Sequence, residues 1–136
     1  MIYIDANIFF YASDDKSQYF ADCQKFLKTL IDGYTTSTTS VETIQEIMHY
    51  YRSIKREHDG LEVCRLLLTI IPEPLAVDLN TIKKFLELFN LYPKPESRDL
   101  LHLAACVIYG IKTIVTYDQE FKNFSEVRAT TPDELI

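Results

Sequence analysis

Four carboxylates in this chain sit where isolated acids are hard to explain by local structure together. Asp5 ends the apolar opening run MIYID, Glu46 lies inside SVETIQEI, Asp99 opens SRDLLHLA, and Asp118 closes TIVTYD. If the fold gathers them, they repel, and each pushes the others' pKa values upward. A hard divalent cation removes that conflict, because Mg²⁺ or Mn²⁺ prefers carboxylate and water oxygens. Three of the four also have a plainer use. Asp5 or Asn7 can cap a helical turn, Asp99 suits the first turn of a helix after a Ser97 cap, and Asp118 suits a turn. Only their joint placement points to a site.

Glu42 and Glu46 compete for one role, being four apart on a shared helix face. Thr39-Ser40-Val41-Glu42 fits a capping box, in which the Glu side chain reaches back to a backbone N–H. Glu46, between Ile44 and Ile47, has no such local use and is the favoured acid, with Glu42 auxiliary. Glu46-x-x-His49 and Asp99-x-x-His102 put an acid and an imidazole on one helical turn twice, a spacing that di-iron helical bundles use. Those bundles lack strands, whereas this chain has them. Each His is therefore expected to pack against a helix neighbour or to hydrogen-bond near the site, and His58 to be solvated. Arg52, Lys55 and Arg56 cluster at a helix end, either complementing the helix dipole or steering phosphates. Tyr11, Tyr50, Tyr51 and Tyr117 are able to stack on a base, and nothing in the sequence selects among them.

The elements that must position these residues alternate between short β-type runs and longer helical ones. Met1–Asp5 reads as a first strand. Lys16–Asp32 reads as a helix with Phe20, Cys23, Leu27, Leu30 and Ile31 on one face, and Tyr34–Ser37 as a second strand. Helices are expected from about Ser40 to Lys55 and from Asp59 to Ile71, with the break near Asp59-Gly60. Pro72 and Pro74 lead into a short strand, Leu75–Val77. Asp78 caps a helix carrying Ile82, Phe85, Leu86 and Phe89, which Pro93 and Pro95 close. Ser97–Tyr109 is apolar almost all round, hence central, and Gly110 stops it. Lys112–Thr116 and Val127–Thr131 are further strands around a short helix at Gln119–Phe124. Strand–helix alternation implies a parallel sheet covered on both faces, with its ligand crevice at the carboxyl ends of the strands. Asp5 and Asp118 fall there.

Composition narrows the classes. A chain of 136 residues, 47% hydrophobic and 25% charged, is that of one globular domain, residues 1–136, burying about two thirds of its unfolded surface. It has no apolar stretch long enough to span a bilayer and no signal-like leader, so a cytoplasmic chain with no membrane partner is expected. Cys23, Cys64 and Cys106 are scattered, against a disulfide framework or zinc site. A net charge of −6 argues against a broad nucleic-acid-binding surface. It says less about a small cleft, where two bound divalent ions would offset four of those charges.

With those residues in place, the chain resembles PIN-domain proteins, most of all the VapC-type ribonuclease toxins, over nearly its whole length. IDANIFFYA resembles the first family motif, with Asp5 the acid and Asn7 its companion. TSTTSVETIQEI resembles the second, where the acid six residues after Ser40 is Glu46. SRDLLHLAACVIYGIKTIVTYDQEF resembles the third and fourth, giving Asp99, Thr116 and Asp118, and VRATTP the closing edge strand. EIMHYY and DLLHLA resemble a branch carrying His at those places.

This resemblance implies a three-layer α/β/α sandwich with a parallel sheet of about five strands in order 3-2-1-4-5. It further implies an acidic pocket for one or two Mg²⁺ or Mn²⁺ ions, endonuclease activity on single-stranded RNA, a homodimer, and an antitoxin whose tail covers the cleft. Asp5, Asp99 and Asp118 would then be metal ligands and Glu46 a ligand or base, with Thr116 orienting Asp118 and Asn7 orienting Asp5. Two other readings stay open: a non-catalytic or RNA-processing PIN-like module, and a metal oxidoreductase using Glu46, His49, Asp99 and His102.

Overall fold

The computed structural model describes residues 1–94 and 97–136. The loop expected around Pro95 and the cap expected from the Ser97 side chain lie outside the described residues. Among the described residues, four parallel strands form the sheet: β1 (Ile2–Ile4), β2 (Ser37–Thr38), β3 (Thr113–Val115) and β4 (Arg128–Thr130), in the order β2-β1-β3-β4. The central strand β1 sends alternate side chains to opposite faces, as the two-residue period of a strand requires. Ile4 joins a core with α1 (Ala6–Ala12), α2 (Phe20–Ile31), α3 (Val41–Ser53) and α4 (Glu57–Ile70). Tyr3 joins a second core with α5 (Leu79–Leu91) and α6 (Ser97–Ile108). Helices on both faces of a parallel sheet make the expected α/β/α class, and α6 is buried as its composition requires, with Leu100, Leu103, Ala104, Ala105 and Cys106 all inaccessible.

The register aims the strand ends. Ile4 is paired with Val115, and Asp5 N–H donates to the Val115 carbonyl at 3.0 Å. Asp5 and Thr116 therefore leave the sheet side by side at its carboxyl edge. On the other side Tyr3 is paired with Thr38, which brings Thr39 and Ser40 to the same edge.

The structure departs from several expectations, each for a local reason. The strand expected at Leu75–Val77 shrinks to a single parallel bridge, Leu75 with Ser40. It keeps the outermost place beside β2, but Pro74 lacks an N–H and Asp78 already begins α5. The second strand lies at Ser37–Thr38 rather than from Tyr34, whose side chain is exposed. The helix expected from Lys16 begins only at Phe20, because Asp14 and Ser17 capture the N–H groups of Lys16 and Tyr19 and hold turns there. On α2, Ile31 is exposed and Phe26 is buried in its stead.

The helix break comes at Lys55, which takes a positive φ of 59°, and not at Gly60. Gly60 sits inside α4 against α3, where a Cβ would come within 2.8 Å of the Tyr51 Cβ. Its role is close helix packing. Gly110, at φ +70°, does end α6 as expected. No helix among the described residues is long and apolar enough to cross a membrane.

Candidate active site

Asp5 carries two duties at once. It is the N-cap of α1, accepting the Ala6 N–H at 2.7 Å, and it is buried, only 5% exposed. A carboxylate so placed needs every lone pair answered. Thr116 Oγ1 donates to Asp5 Oδ2 at 2.7 Å and Asn7 Nδ2 to the same oxygen at 3.3 Å. Asn7 also donates to Thr116 Oγ1 at 3.1 Å and accepts the Tyr117 N–H at 3.3 Å. The Asp118 N–H then donates to Thr116 Oγ1 at 2.9 Å. Asn7 and Thr116 thus hold the acid at the sheet edge and tie it to the Asp118 loop.

Glu46 comes from α3 and His102 from α6, and both meet Asp5. Their potential ligand atoms lie within 4.8 Å of one another, the set among the described residues suited to a metal ion. His102 Nε2 is 3.0 Å from Glu46 Oε2 and 3.8 Å from Asp5 Oδ1. Its Nδ1 is 2.5 Å from the Tyr3 hydroxyl, which lies 2.7 Å from Ser40 Oγ. A hydrogen-bonded line therefore runs from Ser40 through Tyr3 and His102 to Glu46. With the imidazole charged, both ring nitrogens donate, Nδ1–H to Tyr3 and Nε2–H to Glu46, and Tyr3 in turn donates to Ser40.

The electrostatics follow from burial. Burial raises the Asp5 pKa, against the lowering effects of His102 and the Thr116 hydrogen bond. For His102, 1% exposed, burial opposes the charged form. Tyr3, Glu46 and Asp5 outweigh it and hold the pKa well above the ordinary imidazole value. Glu42 is raised by burial too, with His102, Glu46 and Arg98 as its electrostatic neighbours. One buried and one half-buried acid with an imidazole between them form a donor set that suits a divalent ion, with carboxylate oxygens for a hard cation.

Of the residues expected in the site, Asp5 and Glu46 are brought together. Asp118 stands at the rim, capping a 3₁₀ turn at Gln119–Asn123 by accepting the Glu120 N–H at 3.0 Å. Asp99 lies one turn before His102 on α6, half-buried. Neither belongs to the compact set. The capping box expected of Thr39 and Glu42 does not form. Ser40 is the N-cap of α3, and Thr39 Oγ1 instead donates to the Ile4 carbonyl at 2.8 Å and meets Thr43 Oγ1 at 2.7 Å.

His49 lines a shallow surface hollow with Gln45, Met48 and Arg52, so the four-residue acid–imidazole constellation is not assembled. Arg52, Lys55 and Arg56 lie toward the end of α3 opposite to its start, Arg56 forming an ion pair with Asp59 at 2.7 Å. Sequence reasoning does not single out Tyr3 or Arg98. Tyr3 carries the one available signal, since a buried strand tyrosine needs a partner for its hydroxyl.

Known proteins share this fold. The family model of the PIN domain matches residues 2–127. Ribonuclease VapC13 of Mycobacterium tuberculosis is 24% identical over 128 residues, 94% of this chain and 98% of that protein. The crystal structure of M. tuberculosis VapC20, a Sarcin-Ricin loop cleaving toxin, matches with a TM-score of 0.75 at 14% identity over 94% of this chain and 99% of that one. VapBC2 from Rickettsia felis, crystallised with a DNA fragment from its promoter, matches with a TM-score of 0.72 at 19% identity over 96% and 98%.

The shifts of His102 and Asp5 make stability depend on pH in a definite sense. In chelator, the folded protein holds both protons more tightly than the unfolded chain, so stability falls as pH rises. The His102 contribution is fully present below its ordinary value of 6.5 and is lost as pH rises through the folded value above it. The denaturant midpoint should therefore fall from pH 6.5 upward, and His102→Gln should remove that fall. A flat or rising profile for the unsubstituted protein contradicts the assignment.

Proposed function

The chain belongs to the PIN domain family, and from that membership we propose that it is a metal-dependent endoribonuclease, the toxin of a toxin–antitoxin pair. The observation that carries the reading is the pairing of buried Asp5 with half-buried Glu46 at the carboxyl edge of β1. Likeness to VapC13, named a ribonuclease, and to VapC20, a toxin that cleaves the Sarcin-Ricin loop, supports RNA as substrate. Phosphodiester hydrolysis asks for charge stabilisation at the phosphorus and an activated water. Mg²⁺ or Mn²⁺, when bound, supplies Lewis-acid polarisation and lowers the pKa of water.

Asp5 and Glu46 would hold that ion, with Asp99 and Asp118 completing the acidic ring from α6 and the β3 loop. Glu46, the less buried of the central acids, takes the proton of the attacking water. His102 steadies Glu46 through its Nε2, Thr116 and Asn7 keep Asp5 in register, and Glu42 deepens the negative field from one turn away. Whether one or two ions bind depends on how far Asp99 and Asp118 join the set.

Two partners go with this reading. The VapBC2 likeness supports an antitoxin that covers the cleft. A homodimer is supported by α5, where Leu79, Leu86 and Phe89 are exposed at helical spacing, a stripe that a second copy would bury. The chain should sediment as a dimer, and Phe89→Glu should make it a monomer; a monomeric unsubstituted chain removes the dimer.

Asp5→Asn keeps the shape of the N-cap and removes the charge. It should fold, lose RNA cleavage by a factor of about 10³ or more, and resist rescue by Mn²⁺. Chelation should silence the unsubstituted protein, and added Mn²⁺ should restore it. Undiminished cleavage by Asp5→Asn, or cleavage indifferent to EDTA, excludes this chemistry.

A further inference from the structure

The later turns of α1 and α3 border a cavity of about 290 Å³ whose aromatic wall is Phe10, Tyr11, Tyr50 and Tyr51. Its rim carries Asp14, Asp15, Lys16 and Arg56. Tyr50 lies four residues beyond Glu46 on α3, about 6 Å along the helix axis, and Tyr11 six residues beyond Asp5. Tyr11 is near enough to Asp118 and Tyr50 that both help raise its pKa, after burial and its neighbours Tyr19 and Cys23.

The wall is built for a planar guest. Tyr50 is 44% exposed, yet its ring is fixed by contacts to Phe10 at 4.8 Å and Tyr51 at 5.2 Å between centroids. Tyr11 is held in turn by Tyr19 at 5.0 Å and Tyr117 at 5.4 Å. Rings braced from behind and open in front offer stacking area at little cost in side-chain entropy.

The rim decides which part of a nucleotide enters. Asp14 and Asp15 disfavour a phosphate and accept N–H groups from a base edge. Asp14 is itself fixed by accepting the Lys16 N–H at 3.0 Å. Arg56 is engaged with Asp59 and stands 5.9 Å from the Tyr51 ring, which leaves Lys16 as the less committed cation at the mouth, placed for a flanking phosphate. A base inside a duplex is stacked and paired, so only an unpaired one can enter.

We propose that this cavity is a subsite for one unpaired nucleobase a short way from the bond to be cut, stacked against Tyr50 and Tyr11 with its donor edge on Asp14 and Asp15. Guanine is favoured, because its N1–H and N2–H groups offer two adjacent donors to a carboxylate. The proposal deepens the ribonuclease reading and rests on it for the choice of RNA. It gives that reading a reason for single-strand selectivity and a source of sequence preference.

The test is binding in EDTA, which needs no cleavage. The unsubstituted chain and Tyr50→Ala are titrated into a fluorescein-labelled nonauridylate carrying one central guanosine. Loss of one stacked base should weaken binding about 10-fold or more, Tyr50→Phe should retain affinity, and replacing the guanosine by uridine should shrink the difference between the two proteins. Equal affinity of Tyr50→Ala and the unsubstituted chain overturns the proposal. It does so even if the same substitution releases a copurifying protein, which would assign the cavity to protein docking. An equal loss against a duplex of the same sequence also overturns it. Failure of the unsubstituted protein to cut RNA with Mn²⁺ would sink the nuclease reading and leave this binding result standing.

Discussion

The carboxylate of Asp5 sits in a core that would exclude it if it were alone. Burial makes its charge costly, and the surrounding sequence offsets that cost from three directions: the first N–H of α1, the hydroxyl of Thr116 and the amide of Asn7. Glu46 adds a second negative charge to the same small volume, and His102 between them supplies the compensating positive one. Much of the local architecture answers to this arrangement. The parallel register sets Thr116 beside Asp5, the Tyr3 hydroxyl reaches Nδ1 of His102, and Ser40 gives its Oγ to Tyr3 while its backbone starts α3. An acid pair brought this close by its own scaffold would be a preorganised cation site, since the fold, and not the ion, bears the work of bringing the charges together.

Much of this was legible in the sequence because it rests on short-range signals. Apolar runs ending in acids marked β1 and the loop after β3, and helical periodicity marked α3 and α6. The structure sets Glu46 beside Asp5, although one reason for preferring it to Glu42 does not hold: Thr39 gives its hydroxyl to the Ile4 carbonyl, thirty-five residues away, in place of a capping box. The other misses share that origin. Gly60 reads as a breaker by propensity, yet it is required inside α4 by the proximity of Tyr51. Helix α1 is hidden in the sequence because ANIFFYA is as apolar as the strand before it, and only the cap at Asp5 separates them. His102 reveals its place only when α6 is laid against β1, because its partners Tyr3 and Glu46 are ninety-nine and fifty-six residues distant.

Helices α1 and α3 serve two ends with one geometry. Both start at the carboxyl edge of the sheet, so Asp5 at the cap of α1 and Glu46 in the second turn of α3 meet at the acid centre. Their later turns carry Tyr11 and Tyr50, which line the neighbouring cavity. On the proposed reading, chemistry and recognition would share a single scaffold, in which Phe10 and Tyr51 are packed against the same core as Ile47. The negative net charge of the chain fits this division. Affinity for a polyanion would come from bound cations and from stacking, and would not need a broad basic face.

Whether Asp5 and Glu46 form a cation site can be read directly by anomalous diffraction from crystals of this chain soaked in Mn²⁺, collected at the manganese edge. A peak is expected within about 2–2.5 Å of an oxygen of each acid, with His102 still against Glu46. An empty pocket at saturating Mn²⁺ would refute the site.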